Sequence, residues 1–137
     1  MPDTDRRPRT LAVERLCFRT TFLGSGSISR NWGPTLRGGF GRALRNVACS
    51  LGRDNCKECP IGTICAYSYL FETPIAESAT IMRKYTQAPH PFVFEPNESG
   101  KPRVQEGDSV DHSLVVIGGA VRYLPYFFLA IERLGEN

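Results

Sequence analysis

Four cysteines in the middle of the chain have a spacing that suits metal binding. They follow the pattern Cys-x6-Cys-x2-Cys-x5-Cys and are Cys49, Cys56, Cys59 and Cys65. The central Cys-x2-Cys pair is a usual knuckle of thiolate sites. Four thiolates favour tetrahedral Zn(II), with a four-cysteine iron–sulfur cluster as the alternative. Four protein ligands leave no position for water, so the expected role is structural; four unligated or partly oxidised thiols are the other interpretation.

The fifth cysteine is considered apart from the cluster, and the cellular compartment is inferred from the targeting signals. Cys17 lies in a segment of alternating apolar residues and is expected to be a core residue. The sequence shows no secretory signal and no long apolar run, which predicts a reducing, cytoplasmic compartment and no membrane span. Under reducing conditions, metal binding by the cysteine cluster is favoured over disulfides.

An arginine-bearing stretch with helical periodicity precedes the cysteines. Its apolar residues share one side of a helical wheel: Leu36, Phe40, Ala43, Leu44, Val47 and Leu51. Arg42 and Arg45 fall on the opposite half with Gly38 and Gly41, and Arg37 lies near the border. Glycines lower helix propensity, which a helix tolerates where something approaches its backbone closely. Tight packing on a sheet and a phosphate backbone bound by the arginines are both open.

Basic charge is concentrated towards the amino terminus. Residues 1–53 hold ten arginines, no lysine and three acidic residues, a net charge of +7, whereas residues 54–137 carry −4. Arginine favours planar, bidentate recognition of phosphate. The candidate phosphate-binding residues are Arg30, Arg37, Arg42 and Arg45; an exposed basic surface without a ligand is the alternative.

The elements that must position these residues follow from the apolar patterns. The sequence predicts a strand over Leu11–Leu23, a helix beginning at Pro34, an edge strand over Pro91–Pro96, a central strand over Ser109–Gly118 and a helix over Pro125–Leu134. Ala66–Glu72 is a strand or one helical turn. This order predicts an α+β, ferredoxin-like (RRM-like) split βαβ fold: an antiparallel sheet with two helices on one face.

The chain is predicted to form a flexible arm, residues 1–10, and a single domain, residues 11–137, with a cysteine-rich insertion at 49–65. Seven apolar residues are expected to be buried together between the sheet and the helices. They are Leu36, Phe40, Leu44, Val47, Phe127, Phe128 and Ile131. His112, on the second long strand, is expected to be an ordinary hydrogen-bonded sheet residue.

Several segments, taken in order, resemble a known family. They are LRGGFGRALRNVAC, the Cys-x2-Cys motif, the segment from Cys65 to Glu72, HPFVFEP and VIGGAVRYLPYFFLAIERLG. Together they resemble the CRISPR repeat-processing endoribonucleases of the RAMP superfamily, in the branch with a cysteine cluster after the first helix. The resemblance covers about residues 11–135. It implies the first of two ferredoxin-like domains, with the second absent from this chain.

The resemblance implies RNA binding by the four arginines and metal-independent cleavage of precursor CRISPR RNA, in which the ribose 2′-hydroxyl attacks the adjacent phosphate. The implied partners are repeat RNA, a second ferredoxin-like domain and other CRISPR-associated subunits, in antiviral defence. The chain departs from the family because no His, Lys or Tyr occurs between Gly24 and Leu51. The remaining catalytic candidates are His90 and Tyr85, and the chain alone is expected to cut RNA slowly or not at all. An inert RAMP scaffold and a metal-cluster domain without a nucleic-acid role are the alternatives.

Overall fold

The structure, a computed structural model, describes residues 10–82, 84–97 and 102–136. The strands are β1 (Val13–Thr21), β2 (Gly26–Ser27), β3 (Phe92–Glu95), β4 (Arg103–Val104) and β5 (Ser109–Ile117), and the helices are α1 (Gly33–Ala48) and α2 (Leu124–Gly135). The predicted arm, apart from Thr10, lies outside the described residues.

The main sheet has three strands in the order β1-β5-β3, and β5 runs antiparallel to both neighbours. β1 and β3 are therefore parallel, joined through α1, with β5 inserted between them. This is the split βαβ arrangement, so the predicted ferredoxin-like α+β fold is confirmed. The edge position of the strand between Pro91 and Pro96 and the central position of the second long strand are confirmed too. The two-residue pair of β2 and β4 was not anticipated.

Both helices cover the same side of the sheet. The core joins Phe40 and Leu44 of α1, Leu114 and Val116 of β5, Phe92 of β3, and Phe127 and Ala130 of α2. The ring of Phe40 is central, because it lies 5.3 Å from Phe92, 5.2 Å from Phe94 and 5.5 Å from Phe127 between centroids. The elements therefore share one apolar layer.

Burial of the seven predicted core residues is uneven. Leu36, Phe40, Leu44 and Phe127 are buried, and Val47 and Ile131 are half-buried. The prediction is wrong for Phe128, which is 57% exposed. α2 packs through Phe127 and Ala130, and a residue one position away lies about 100° round the helix. Phe128 therefore falls outside the packed stripe.

The other side of the sheet, here called the open sheet face, is polar along most of its length. Its ion pairs are Arg15–Glu95 and Arg19–Asp111. Cys17 lies between these arginines on β1 and is exposed, so its assignment to the core is wrong. Successive residues of a strand point to opposite faces, which places Cys17 with its polar neighbours.

α1 ends at Ala48, because Cys49 has extended backbone angles of φ −81° and ψ 106°. The predicted apolar stripe continued to Leu51, but this residue lies beyond the helix and is 47% exposed. Pro34 lies in the first turn, as the sequence predicts. In the described part of the chain, no helix has the length and apolar character needed to cross a membrane.

The segment between the cysteines and β3 contains a π-helix, Ser68–Glu72, preceded by one helical turn. The backbone N–H of Thr73 donates to the carbonyl of Ser68 at 2.8 Å, and Thr73 ends the helix in the left-handed region at φ 44°. The helical alternative for Ala66–Glu72 is thus confirmed, although its π geometry was not predicted. This short helix packs Leu70 into the core.

Candidate functional site

The outward side of α1, here called the arginine face, carries Arg37, Arg42 and Arg45. Arg37 and Arg42 are exposed and Arg45 is half-buried. The first turn of α1 contains no acidic residue, so no carboxylate within that turn offsets the partial positive charge of the helix N-terminus. Arg30 is exposed in the loop before the helix. The structure therefore places three of the four predicted phosphate-binding arginines on one helix.

Arg37 lies beside His90, although 53 residues separate them in sequence. Its Nη2 atom is 3.3 Å from Nδ1 and 3.4 Å from Nε2 of the imidazole. A guanidinium can only donate hydrogen bonds, so the imidazole accepts from it in the neutral form. The rings of Phe71 and Phe92 stand edge-on to the imidazole at 5.1 and 5.5 Å, which fixes its orientation.

The surroundings of His90 favour its neutral form. Burial is the main cause that lowers the pKa of His90, and the positive charge of Arg37 lowers this pKa further. A hydrogen bond to the backbone of Phe71 and the charge of Glu72 act in the opposite direction. A general base takes a proton at its unprotonated ring nitrogen, and here that nitrogen accepts from Arg37, so His90 can act as a base only when Arg37 has turned away from it.

The two outward glycines of α1 differ in what surrounds them. A Cβ at Gly38 would have no atom within 4 Å, so the surface beside Arg37 is open. A Cβ at Gly41 would collide with the ring of Phe71. The expectation that both glycines clear a surface is wrong for Gly41, because the π-helix packs its Phe71 ring there. The two alternatives, packing and open surface, therefore apply to different glycines.

Arg45 differs from the other arginines because it holds the cysteine segment against α1. Its guanidinium donates to the carbonyl of Arg53, lies 3.8 Å from a carboxylate oxygen of Asp54, and sits 5.8 Å from the ring centroid of Tyr67. Burial, followed by the charge and hydrogen bond of Glu72, raises the pKa of Tyr67 to about 12. Arg45 therefore combines a structural role with its position on the arginine face.

Tyr85, the second catalytic candidate, is not brought to His90. Its side chain is 65% exposed in the loop that leads to β3. Among the described side chains, no hydrogen bond joins Tyr85 to the Arg37–His90 pair. The structure thus unites one RNA-binding candidate with one catalytic candidate and leaves the other separate.

The four cysteines of the predicted metal site are all half-buried and free of disulfides. Cys49 and Cys65 lie close enough to Cys56 for their charges to raise its pKa, after the larger effects of burial and Glu72. The amide of Cys59 donates to the carbonyl of Cys56 at 3.3 Å, so the knuckle forms a turn. Across the described ranges, no three His, Cys, Asp or Glu side chains are arranged to hold a metal ion. Zinc stays a prediction from the donor set.

His112 is a feature that sequence reasoning misjudged. It lies on β5 as predicted, but it is only 2% exposed, and neither ring nitrogen has a hydrogen-bond partner among the described residues. Its ring is held between Trp32, at 4.4 Å, and Phe18, at 5.2 Å. The pairing of Phe18 with His112 across the strands depends on the register, which no local pattern reveals.

Comparison with known proteins gives one match. A family model described as an N-terminal domain covers residues 10–137 of the chain. No curated protein matches the chain, and no solved structure does. The matched range includes the arginine face, the His90 loop and the cysteine segment.

Proposed function

The chain belongs to the AF_1859_N family of N-terminal domains, and we propose that it binds RNA through the arginine face of α1. The observation that carries the proposal is the pair formed by Arg37 and His90 beside the open surface at Gly38. A phosphate backbone can approach the helix at this glycine. The exposed guanidinium of Arg42 lies on the same helix and adds a second cation.

The same pair supports a candidate reaction. In metal-independent RNA cleavage, a base takes the proton of the 2′-hydroxyl, and the oxygen attacks the adjacent phosphorus. The 5′-oxygen leaves with a proton taken from water, and the protonated base returns its proton to the solvent. The products are a 2′,3′-cyclic phosphate and a free 5′-hydroxyl. Once Arg37 turns from the imidazole to the phosphate, the unprotonated ring nitrogen of His90 can serve as the base, and Arg37 can offset the charge that develops on the phosphorane. The resemblance to CRISPR repeat-processing enzymes makes precursor CRISPR RNA the substrate we propose, with a second ferredoxin-like domain or other CRISPR-associated subunits as partners.

RNA binding is tested with two double variants of equal charge change. Arg37→Gln with Arg42→Gln removes cations from the arginine face, whereas Arg15→Gln with Arg19→Gln removes cations that are already ion-paired on the open sheet face. Each arginine–phosphate interaction that a substitution removes should lower the slope of log K against log salt by roughly 0.7–0.9. We expect this decrease in the first variant only, measured by titrating a repeat-type RNA hairpin. Equal effects of the two variants would argue against a specific face.

Cleavage is tested separately, with chelator present. We expect slow formation of the 2′,3′-cyclic phosphate by the wild-type chain and none by His90→Ala, which keeps the arginines of the helix and should still bind RNA. Tyr85→Phe should leave the rate unchanged, because its hydroxyl is not beside the imidazole. The separation of Tyr85 from His90 also favours a second candidate, an RNA-binding scaffold without activity. Binding with no detectable cleavage by the wild type would select that candidate.

A further inference from the structure

Three tyrosines and one arginine form a cluster on the side of the π-helix that faces the chain entering α2. The cluster consists of Tyr69, Arg122, Tyr123 and Tyr126. The guanidinium carbon of Arg122 lies 5.0 Å from the ring centroid of Tyr69 and 4.9 Å from that of Tyr123. The rings of Tyr69 and Tyr123 are 5.2 Å apart, and Tyr126 meets Tyr123 edge-on at 6.1 Å.

The cluster remains accessible to solvent. Tyr69 and Tyr126 are each 37% exposed, and Arg122 is exposed. The hydroxyl of Tyr69 lies over Gly119, where a Cβ would be 2.5 Å from it. Tyr69 also lines a cavity of about 540 Å³ together with Thr63, Pro74 and Pro89. This volume lies within the range of about 300–1,000 Å³ that is common for small-molecule sites.

Arg122 is not among the described arginines that pair with a carboxylate. Arg15, Arg19, Arg45 and Arg133 each have a carboxylate within ion-pair distance. Arg122 has no hydrogen bond or ion pair within the described ranges, and its contacts are the two rings on which it stacks. It is therefore a cation held in place by aromatic rings, and no described residue takes its donors, which can serve an anion.

We infer that the tyrosine cluster binds unpaired nucleotides of the RNA, with bases stacking on Tyr69 and Tyr126 and a phosphate bound by Arg122. This inference rests on the proposed RNA-binding function and names a second surface for it. Partly exposed aromatic rings beside an unneutralised cation are the features that proteins use to bind single strands. A protein partner would also use Tyr and Arg, but the free guanidinium favours a phosphate.

The two surfaces are connected by one short helix. Tyr67 lies under Arg45 of the arginine face, and Tyr69, two residues later, lies under Arg122. Residues two apart in a helix lie on nearly opposite sides, so the arginine face and the tyrosine cluster lie on opposite sides of this helix. The arginine face and the cluster would then contact paired and unpaired parts of the same RNA.

The experiment measures the affinity of the full chain for single-stranded oligoadenylate and for the same strand with abasic positions. Tyr69→Leu and Tyr126→Leu should each weaken binding of oligoadenylate by at least roughly fivefold, since one stacked base contributes about that much or more. Neither change should matter for the abasic strand. Tyr126→Phe should keep wild-type affinity because it keeps the ring. Phe128→Leu, an exposed aromatic of the same helix outside the cluster, is the matched control.

Salt dependence gives a second readout. The leucine variants should keep the wild-type slope, whereas Arg122→Gln should lower it by about 0.7, the value for one phosphate interaction with a single strand. Circular dichroism checks the fold, and if Tyr69→Leu does not fold, Tyr126→Leu and Arg122→Gln decide.

Oligoadenylate affinity unchanged in these variants, with hairpin binding still sensitive to Arg37 and Arg42, overturns the cluster alone and leaves a protein contact as the use of the rings. No RNA binding by the wild type overturns both proposals. Loss of affinity in the cluster variants, with the arginine face indifferent to substitution, supports the cluster and overturns the arginine face.

Discussion

The open sheet face and the arginine face of α1 both display arginines, but the groups that contact the guanidinium charges differ between them. On the sheet, Arg19 donates two hydrogen bonds to Asp111, at 2.7 and 3.1 Å, and Arg15 is paired with Glu95. The hydrogen bond with Arg19 is the main cause that lowers the pKa of Asp111. On the helix, Arg37 contacts a neutral imidazole instead of a carboxylate. Of the three arginines on this face, only Arg45 has a carboxylate nearby among the described residues, that of Asp54 at 3.8 Å.

The difference shows that the number of arginines is a poor guide to anion binding. An ion-paired guanidinium already directs its planar donors to a carboxylate, and a phosphate must displace that partner. A guanidinium beside an imidazole or an aromatic ring keeps donors for a ligand. The cross-strand carboxylates, and not the arginines, distinguish the two faces.

The cysteines supply the test with the largest expected effect. Cys56→Ser should abolish binding of Zn(II) by the reduced protein, because it removes one of four predicted thiolate ligands, and structural zinc contributes strongly to folding. Cys17→Ser on the open sheet face is the matched control and should leave the metal content unchanged. Metal analysis of protein purified under reducing conditions gives the readout. A wild type without metal would remove the zinc prediction.

Substitutions of Gly41 and Gly38 should give the next largest effect, which is on folding stability. Gly41→Ala should lower the free energy of unfolding by roughly 1–3 kcal/mol, because the new methyl group meets the ring of Phe71. Gly38→Ala, in open space, should raise it by up to about 1 kcal/mol through helix propensity. Denaturant unfolding of both variants gives the comparison. If both substitutions changed the free energy of unfolding in the same direction, Phe71 would not pack against α1 in solution.

The buried His112 should have a smaller effect, which is on the pH dependence of folding stability. Burial lowers the pKa of His112 below its ordinary value of 6.5, and Asp111 offsets this only partly. Below about pH 6.5 the unfolded chain therefore binds a proton that the folded chain does not, so stability falls as the pH falls through this range. The stability of the folded state is therefore not reduced by His112 above about pH 6.5.

His112→Phe should remove this part of the pH dependence and raise the melting temperature, because it replaces two unpaired ring nitrogens by carbon. The lowered pKa of His90 has the same sign, so the variant should keep a weaker dependence. Melting curves at several pH values provide the measurement. A variant with the wild-type profile would show that His112 is hydrogen-bonded in solution.

The smallest expected effect comes from removing the carboxylates that pair with arginines on the open sheet face. Glu95→Gln with Asp111→Asn frees Arg15 and Arg19 while leaving both arginines in place. Folding stability should stay close to wild type, since exposed ion pairs contribute little. The salt slope of RNA binding should become steeper, by at most about 0.7–0.9 for each freed arginine that reaches a phosphate. An unchanged slope would mean that neutralisation is not what separates the two faces.

The fold could be predicted because its main elements carry strong local patterns. The alternation in β1, the apolar run in β5 and the stripe of α1 each specify an element and its buried side. Phe128 shows where this information ends. Positions 127 and 128 are both phenylalanine on an almost wholly apolar helix, so the pattern does not say which of them faces the sheet.

The site was predictable in its residue types but not in its contacts. Arg37 and His90 were both candidates, yet their contact depends on a loop that returns to α1 after 53 residues. Gly41 was assigned to the open side because the wheel of α1 contains no information about the π-helix that covers it. The hydrogen-bonding state of His112 likewise depends on Trp32, a residue of a distant loop.

The π-helix has a consequence for the length of this segment. A π turn contains one residue more than the α turn it replaces, so each residue turns the chain by less than the 100° or so of an α-helix. Deleting one of the three residues between them, Ser68, Tyr69 or Leu70, would rotate Phe71 out of line with Tyr67, to which it now stacks at 5.6 Å. Natural variants of this domain should therefore accept changes of residue type here more readily than insertions or deletions.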